Sequence, residues 1–162
     1  MADTATAEQV LEACMAAGLK AATAESCTGG MVGAALTEVA GSSKVVLGGI
    51  VAYANSAKRD VLGVSVDTLK AHGAVSEPTA GEMAEGALRA LGADIAIGIT
   101  GIAGPGGAGD KPEGRVCFGI ARKGDTTRTE TCDFGALGRT RVREVSRDKA
   151  LALLLEAATK RL

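Results

Sequence analysis

The sequence predicts an α/β fold, a three-layer α/β/α sandwich built around a mostly parallel, mixed sheet. Apolar strand-like runs alternate with amphipathic helix-like runs over the first two thirds of the chain, which is the order of parallel βα units. The strand predicted at 45–53 is mostly apolar on both faces, as expected where helices cover both sides of a sheet. Two later strands around a tight turn predict an antiparallel hairpin. The 162 residues fit one domain, spanning 1–162.

The first half of the chain predicts helices alternating with two strands. Thr6 and Gln9 have the spacing of a capping box, and Gly18 is a typical residue just beyond a helix end. The segment 26–30 holds a serine and two glycines and turns the first strand into an apolar-striped helix. The predicted elements are helices over 6–18, from Met31 to Val39 and over 56–62, and strands over 19–24 and 45–53.

The second half predicts a long helix, a buried strand, the hairpin and a final helix. Ser76, followed by a glutamate and Pro78, has the pattern of a helix start, and His72 falls in the loop before it. A turn at 123–125 separates the hairpin strands. The predicted elements are a helix from Ser76 to Leu91, strands over 94–100, 115–122 and 127–134, and a helix over 139–160.

The composition excludes several classes of function. A formal net charge of −1 leaves no basic footprint for nucleic acid, and no apolar stretch approaches the ~20 residues of a membrane span. Because the N-terminus lacks a signal-peptide pattern, we expect a cytoplasmic protein. The four cysteines form no Cys-x-x-Cys pair and the chain has one histidine, so we predict no metal site and no cofactor.

Three polar or glycine-rich segments follow predicted strands, at 25–30, 53–58 and 100–107. Ligands of open α/β sheets bind beyond the carboxyl ends of the strands, so we expect these segments to converge on one site. The third segment lacks the lysine of a Walker A loop, but its glycines still allow backbone amides to approach an anion. The following residues, 109–112, could form a lid.

The first segment contains two candidate nucleophiles. Ser26 is either a helix cap or a nucleophile, and Cys27 is either a second nucleophile or a small buried side chain. The backbone N–H groups of Thr28, Gly29 and Gly30 lie at a predicted helix start, where they can stabilise an oxyanion or bind phosphate.

A serine nucleophile needs a base, and the sequence offers two. His72 would serve in a Ser-His-Asp arrangement, whereas Lys58 would serve in a Ser–Lys pair. Lowering a lysine pKa from about 10.4 to about 7 requires roughly 4 kcal/mol of desolvation or of repulsion from a nearby cation such as Arg59. A solvated helix lysine is the ordinary alternative. Tyr53, the single tyrosine, either serves the site or is a buried strand aromatic.

A ridge of arginines begins the last predicted helix, with Arg139, Arg143 and Arg147 spaced about one turn apart. Arg139 lies nearest the helix start, where a phosphate is favoured by both the guanidinium and the helix dipole. The acidic residues Glu144 and Asp148 are interspersed, so a solvated face is the ordinary interpretation of the ridge.

Four motifs taken together resemble the C-terminal domain of the CinA family, whose stand-alone members are called PncC. The resemblance runs from about residue 7 to 160, and four motifs in one order are far more specific than any one alone. The motifs are Glu25-Ser-Cys-Thr-Gly-Gly30, Gly48-Gly-Ile-Val-Ala-Tyr53 with Lys58-Arg59, His72-Gly-Ala-Val-Ser76, and Thr100-Gly-Ile-Ala-Gly-Pro-Gly-Gly107.

The resemblance implies hydrolysis of the carboxamide of nicotinamide mononucleotide, giving nicotinate mononucleotide and ammonia, by a serine nucleophile without a metal. Ser26 matches the motif serine, and Lys58 matches the lysine of the Asn-x-x-Lys-Arg stretch. The predicted catalytic residues are Ser26, Lys58 and Tyr53, and the predicted substrate-binding residues are Thr28, Gly29, Gly30, Thr100, Gly101, Gly104 and Arg139.

This sequence departs from the family where Arg139 follows Leu137-Gly138, because the family usually has Gly-Asp before that arginine. We expect no activity that belongs to the family's separate N-terminal domain. The predicted partner is a small nucleotide substrate rather than nucleic acid or a membrane, and a homo-oligomer is compatible with the sequence. The alternative function is a non-catalytic module that binds a nucleotide, a phosphate or a protein partner.

Overall fold

A computed structural model describes residues 5–160 and 162, which form a five-stranded mixed sheet between two layers of helices. The α/β architecture predicted from the sequence is therefore confirmed. None of the helices in this part of the chain is long and apolar enough to cross a membrane. The helices are α1 (Ala7–Ala17), α2 (Met31–Thr37), α3 (Asn55–Asp60), α4 (Val66–His72), α5 (Glu77–Leu91) and α6 (Arg139–Thr159). The strands are β1 (Ala21–Glu25), β2 (Val46–Val51), β3 (Ile95–Gly101), β4 (Arg115–Arg122) and β5 (Arg128–Asp133).

The strands lie in the order β2-β1-β3-β4-β5. β1 runs parallel to β2 and β3, whereas β4 runs antiparallel to both β3 and β5. Parallel and antiparallel pairs are thus equal in number, and the parallel part lies at the β2 end. From β1 the chain enters α2 on one face, and from β2 it enters α3 to α5 on the other. This divergence opens a crevice beyond the carboxyl ends of the parallel strands.

The cores on the two faces of the sheet differ in the size of their side chains. On the face covered by α1, α2 and α6, large side chains such as Leu11, Ile97 and Phe118 fill the space. On the face covered by α5, most of the core residues are alanines, such as Ala24 and Ala87. Small side chains let α5 approach the sheet closely.

A pair of glycines seats α5 directly on the sheet backbone. Gly98 in β3 lies opposite Gly119 in β4. A Cβ atom at Gly98 would lie 2.3 Å from the Ala80 carbonyl oxygen, and one at Gly119 would lie 2.4 Å from the same oxygen. No real Cβ contact is that short, so both positions require glycine while α5 keeps its place.

The predicted elements lie near their observed positions, and the predicted capping box of Thr6 and Gln9 is formed. A short 3₁₀ helix over Ser42–Lys44 was not predicted. One α-helix was also missed, because the region around His72 is not a loop: His72 is the last residue of α4. The side chain of Ser65 caps this helix by accepting the N–H of Thr68. The large apolar residues of α4 are Val66 and Leu69 alone, too few for the apolar periodicity on which the prediction depended, and none of its residues is buried.

The substitution Gly119→Ala tests the close seating of α5. We expect it to lower the free energy of unfolding by about 1–3 kcal/mol, the usual effect of overpacking, and the melting temperature by roughly 2–4 °C per kcal/mol. The measurement is thermal unfolding. Gly48→Ala is the control, because a Cβ there meets only the flexible Leu91 side chain at 3.4 Å. Equal losses in the two variants would contradict the prediction.

Candidate active site

A cavity of about 370 Å³ opens beyond the carboxyl ends of β1, β2 and β3. All three segments predicted from the sequence reach it, contributing Ser26, then Tyr53 and Lys58, and then the glycine loop that begins at Thr100. Arg139, at the start of α6, also lines the cavity. The fold therefore gathers these residues where the parallel strands end.

Ser26 and Lys58 are in direct contact within this cavity. The Nζ atom of Lys58 lies 3.0 Å from Oγ of Ser26 and 3.1 Å from the carbonyl oxygen of Tyr53. Ser26 comes directly after β1, and its backbone N–H donates to the carbonyl of Ile99 in β3 at 2.9 Å. Lys58 is carried by α3, which begins shortly after β2. Parallel pairing of β1 with β2 thus brings the two side chains together.

Lys58 is buried, with a relative exposure of 2%, so the alternative of a solvated helix lysine is wrong. Removal from water lowers the pKa of its amine below the ordinary value of 10.5. Arg59 does not take part, because it is exposed and pairs with Asp60 at 2.7 Å. Among residues 5–160 and 162, no carboxylate forms an ion pair with Lys58. Burial, rather than a neighbouring cation, therefore favours the neutral amine.

The turn that carries Ser26 is held from inside the protein by Glu25. This buried carboxylate accepts the Thr28 hydroxyl at 2.6 Å and the backbone N–H groups of Val32 and Gly33 at 2.9 and 3.0 Å. Three hydrogen bonds to one carboxylate fix where β1 ends and α2 begins. The position of Ser26 depends on this arrangement, since it lies inside the same turn.

The three predicted binding residues of this turn are not among the residues that line the cavity. The Thr28 side chain is fully buried and turned toward Glu25. Gly29 donates its N–H to the Ser26 carbonyl at 3.1 Å, and Gly30 is the N-cap residue of α2. The side chain of Thr28 is therefore structural, and these three residues shape the turn that carries Ser26 rather than the wall of the cavity.

Tyr53 and Arg139 meet at the mouth of the cavity. Tyr53 has a relative exposure of 64%, so the alternative of a buried strand aromatic is wrong. Arg139 donates to the Tyr53 hydroxyl at 3.0 Å and to the Gly104 carbonyl at 2.7 Å. One guanidinium thus links the segment after β2 with the glycine loop after β3, and its positive charge faces the entrance.

The glycine loop forms the remaining wall, with Thr100 and Gly101 at its base. The Thr100 hydroxyl donates to the Ala74 carbonyl at 2.8 Å, so it anchors the loop that precedes α5. Lys111 donates from the other side to the carbonyls of His72 and Val75, at 3.0 and 2.5 Å. These bonds tie the segment 109–112, which the sequence offers as a lid, to the end of α4.

The structure argues against both His72 as the base and Cys27 as the nucleophile. His72 does not line the cavity, and its carbonyl is used by Lys111. Cys27 does line the cavity, but burial raises the pKa of its thiol to about 11, which keeps the thiol protonated and weakly nucleophilic near neutral pH. In the described part of the chain, no group of three or more His, Cys, Asp or Glu side chains is placed to hold a metal ion.

Several lining residues were not named individually as site residues. Asn55 begins α3 within the predicted segment 53–58. Ala74 and Val75 belong to the motif at 72–76 and line the cavity between α4 and α5. Because these two apolar residues carry no chemical signature, the motif alone did not assign them to the site.

Comparison with known proteins identifies relatives of this chain by sequence. Residues 3–158 match the family model described as the CinA C-terminal domain. A CinA-like protein of Mycolicibacterium vanbaalenii is 50% identical over 153 residues, covering 94% of this chain and 36% of the relative. A CinA-like protein of Mycobacterium tuberculosis is 51% identical over 138 residues, covering 85% of this chain and 32% of the relative. The chain spans about a third of the length of the curated relatives it matches.

Solved structures share the fold over nearly the whole chain. A competence/damage inducible protein, CihA, of Agrobacterium tumefaciens is 44% identical with a TM-score of 0.90, covering 95% of this chain and 93% of that one. A competence-damaged protein (CinA) superfamily protein of Enterobacter cloacae is 35% identical with a TM-score of 0.91, covering 98% and 95%.

The buried Lys58 makes stability depend on pH. Its pKa is lower in the folded than in the unfolded chain, so the unfolded state binds more protons between the two values and stability rises with pH there. We expect the free energy of unfolding of the wild type to rise relative to Lys58→Met as the pH increases from 7 toward 10.5. The measurement is denaturant unfolding at several pH values.

The matched control for this prediction is Lys70→Met, because Lys70 is an exposed helix lysine. Its stability difference from the wild type should stay constant over the same pH range. If Lys58→Met and Lys70→Met showed the same pH dependence, burial would not be shifting the Lys58 titration.

Proposed function

This chain belongs to the CinA C-terminal domain family, and on that premise we propose that it hydrolyses the carboxamide of nicotinamide mononucleotide to nicotinate mononucleotide and ammonia. In this proposal Ser26 is the nucleophile and Lys58 is its general base. The sequence resemblance to the family supports the choice of substrate. The chemistry of the cavity supports the reaction class.

One observation carries the proposal: a buried lysine amine lies 3.0 Å from a serine hydroxyl, with burial lowering the lysine pKa. A lysine can accept a proton only when it is neutral, and a serine needs such a neighbour to become a useful nucleophile. A purely structural serine cap would not require a desolvated amine beside it. Burying an amine without a carboxylate partner is costly, and a catalytic role accounts for that cost.

The first half of the reaction forms an acyl-enzyme. When Lys58 is neutral, its Nζ can accept the Ser26 O–H across the 3.0 Å contact, while its own N–H donates to the Tyr53 carbonyl and keeps the amine aligned. As Oγ bonds to the carboxamide carbon, the proton passes to Nζ and the carbonyl oxygen becomes an oxyanion. When the carbon–nitrogen bond breaks, Lys58 returns the proton to the leaving nitrogen. Ammonia departs, and Ser26 carries a nicotinoyl ester.

The second half of the reaction releases the acid. Lys58 accepts a proton from a water molecule, whose oxygen bonds to the ester carbon. The tetrahedral intermediate then collapses by breaking the bond to Oγ, and Lys58 returns the proton to Ser26. The sum is one amide and one water consumed, with one carboxylic acid and one ammonia formed, so no other reactant is needed.

The mouth of the cavity, where Tyr53 and Arg139 meet, suits the rest of a nucleotide. Arg139 places a positive charge at the entrance, where a ribose phosphate would extend. The exposed Tyr53 ring offers an aromatic face beside the catalytic pair. These contacts contribute by holding the carboxamide near Ser26 rather than by joining the chemistry.

The proposal is tested by ammonia release from nicotinamide mononucleotide in the presence of a chelator. We expect the wild type to be active, and Ser26→Ala and Lys58→Ala to lose about 10³-fold or more of kcat, because each removes half of the catalytic pair. Cys27→Ala is the matched control, since the adjacent thiol lines the same cavity, and it should keep most of the activity. Saturable nucleotide binding without ammonia from the wild type would instead indicate a binding module.

The pH dependence of kcat/KM provides a second test. Activity requires neutral Lys58, so kcat/KM should rise with pH through the lysine pKa, at a value below the ordinary 10.5. Lys58→Arg should abolish this activity, because an arginine does not lose its proton in this range. A profile that rises only near pH 10.5, or full activity in Lys58→Arg, would remove Lys58 as the base.

A further inference from the structure

The arginine ridge of α6 is not a uniform solvated face. Arg139 reaches the cavity mouth, and Arg147 pairs with Asp148 at 3.0 Å. Arg143, between them, turns toward the segment that carries Ser26. It does not line the cavity and touches no residue of the proposed catalytic pair. The role of this middle arginine is therefore distinct from that of its two neighbours on the ridge.

Arg143 donates hydrogen bonds to two consecutive carbonyl groups of the turn that carries Ser26. Its Nε donates to the Cys27 carbonyl at 3.0 Å, and one terminal nitrogen donates to the Thr28 carbonyl at 3.3 Å. The same nitrogen would lie only 3.3 Å from a Cβ atom at Gly29, so the guanidinium lies flush against the turn. The planar guanidinium group holds its N–H donors in a rigid fork, and this geometry allows it to bond two neighbouring carbonyls at once.

Fixing a carbonyl also fixes the N–H group that follows it. The peptide unit is planar and trans, so the N–H of one residue points opposite to the carbonyl of the residue before it. With its carbonyl held by Arg143, the Cys27–Thr28 peptide directs the Thr28 N–H away from that arginine. The Gly29 N–H obeys the same rule, and it is found bonded to the Ser26 carbonyl. The two carbonyl contacts therefore fix the peptide planes on both sides of Thr28.

The charge of Arg143 also acts on this turn. In the part of the chain that the structure describes, no carboxylate forms an ion pair with it, so its charge is directed at the two carbonyls. A cation bonded to a peptide oxygen polarises the peptide and strengthens the attached N–H as a donor. Glu25 holds the same turn from the opposite direction, through Thr28, Val32 and Gly33.

We propose that Arg143 is a positioning residue for the reaction at Ser26: it clamps the Cys27 and Thr28 carbonyls and so fixes the turn that holds the Ser26 hydroxyl beside Lys58. This inference rests on the proposed function for its catalytic consequence, although the clamp itself does not. Arg143 touches neither Ser26 nor the substrate, and it acts through the orientation of two peptide planes.

The clamp is tested first without any substrate, by amide hydrogen exchange of the segment 26–31. In Arg143→Ala we expect faster exchange in this segment, with the rest of the protein and its melting temperature little changed. Arg147→Ala is the matched control, because it removes an arginine one turn further along α6 that makes no bond to the turn. Unchanged exchange of the segment in Arg143→Ala would overturn the proposal.

The catalytic consequence is tested by steady-state kinetics of ammonia release from nicotinamide mononucleotide. A displacement of a reacting group by about 1 Å can cost about 10²-fold in rate, so Arg143→Ala should lose roughly 10- to 100-fold of kcat with little change in KM. Arg143→Lys keeps the charge without the fork and should recover only part of this loss. Arg147→Ala should leave both constants close to the wild type.

The outcomes separate the two proposals. If the wild type releases no ammonia, the proposed function fails, while hydrogen exchange still decides whether the clamp exists. If the wild type is active and Arg143→Ala changes KM alone, or changes exchange without changing kcat, Arg143 is not a positioning residue. A melting temperature that falls as far in Arg147→Ala as in Arg143→Ala, with equal losses of kcat, would also overturn the inference.

Discussion

The contact between a buried amine and a serine hydroxyl governs the organisation of this protein. An ammonium group in that position would face a carbonyl, a hydroxyl and little water, so the surroundings favour the neutral amine over the charged one. Such a site can exist only where the fold removes the lysine from most of the surrounding water. The carboxyl ends of β1 and β2 provide that place, because the helices after these strands leave toward opposite faces of the sheet.

The shielded pair is surrounded by hydrogen bonds that connect distant parts of the chain. Glu25 holds the serine turn from within, and Arg143 reaches the same turn from α6, more than a hundred residues further along the sequence. Thr100 joins the glycine loop to the segment before α5. Apart from the bond between the Thr28 hydroxyl and Glu25, each of these bonds uses a backbone carbonyl or N–H on one side, so together they fix the path of the main chain. Precise placement of a few side chains then follows from a rigid backbone.

Much of this could be predicted from the sequence, for physical reasons that can be named. Periodicity and capping residues locate elements with an apolar face, such as α1 and α5, and strand ends mark the segments that carry Ser26, Tyr53 and Lys58. The missed helix α4 has capping residues, but it has few large apolar residues and none that is buried, so its sequence shows no apolar periodicity. Burial of Lys58 could not be predicted, since it depends on tertiary packing around one amine. The direction of Arg143 has the same origin: spacing places it on a ridge, and only the fold turns it toward Cys27.

The protonated state of Cys27 has a consequence for the redox chemistry of the site. Peroxides and electrophiles react with thiolates, and a thiol whose pKa is raised to about 11 supplies almost none of that form near neutral pH. Cys27 is therefore oxidised to a sulfenic acid only slowly, even though it lines an open cavity. A sulfur atom at this position fills space next to the reacting groups without making the site sensitive to oxidants.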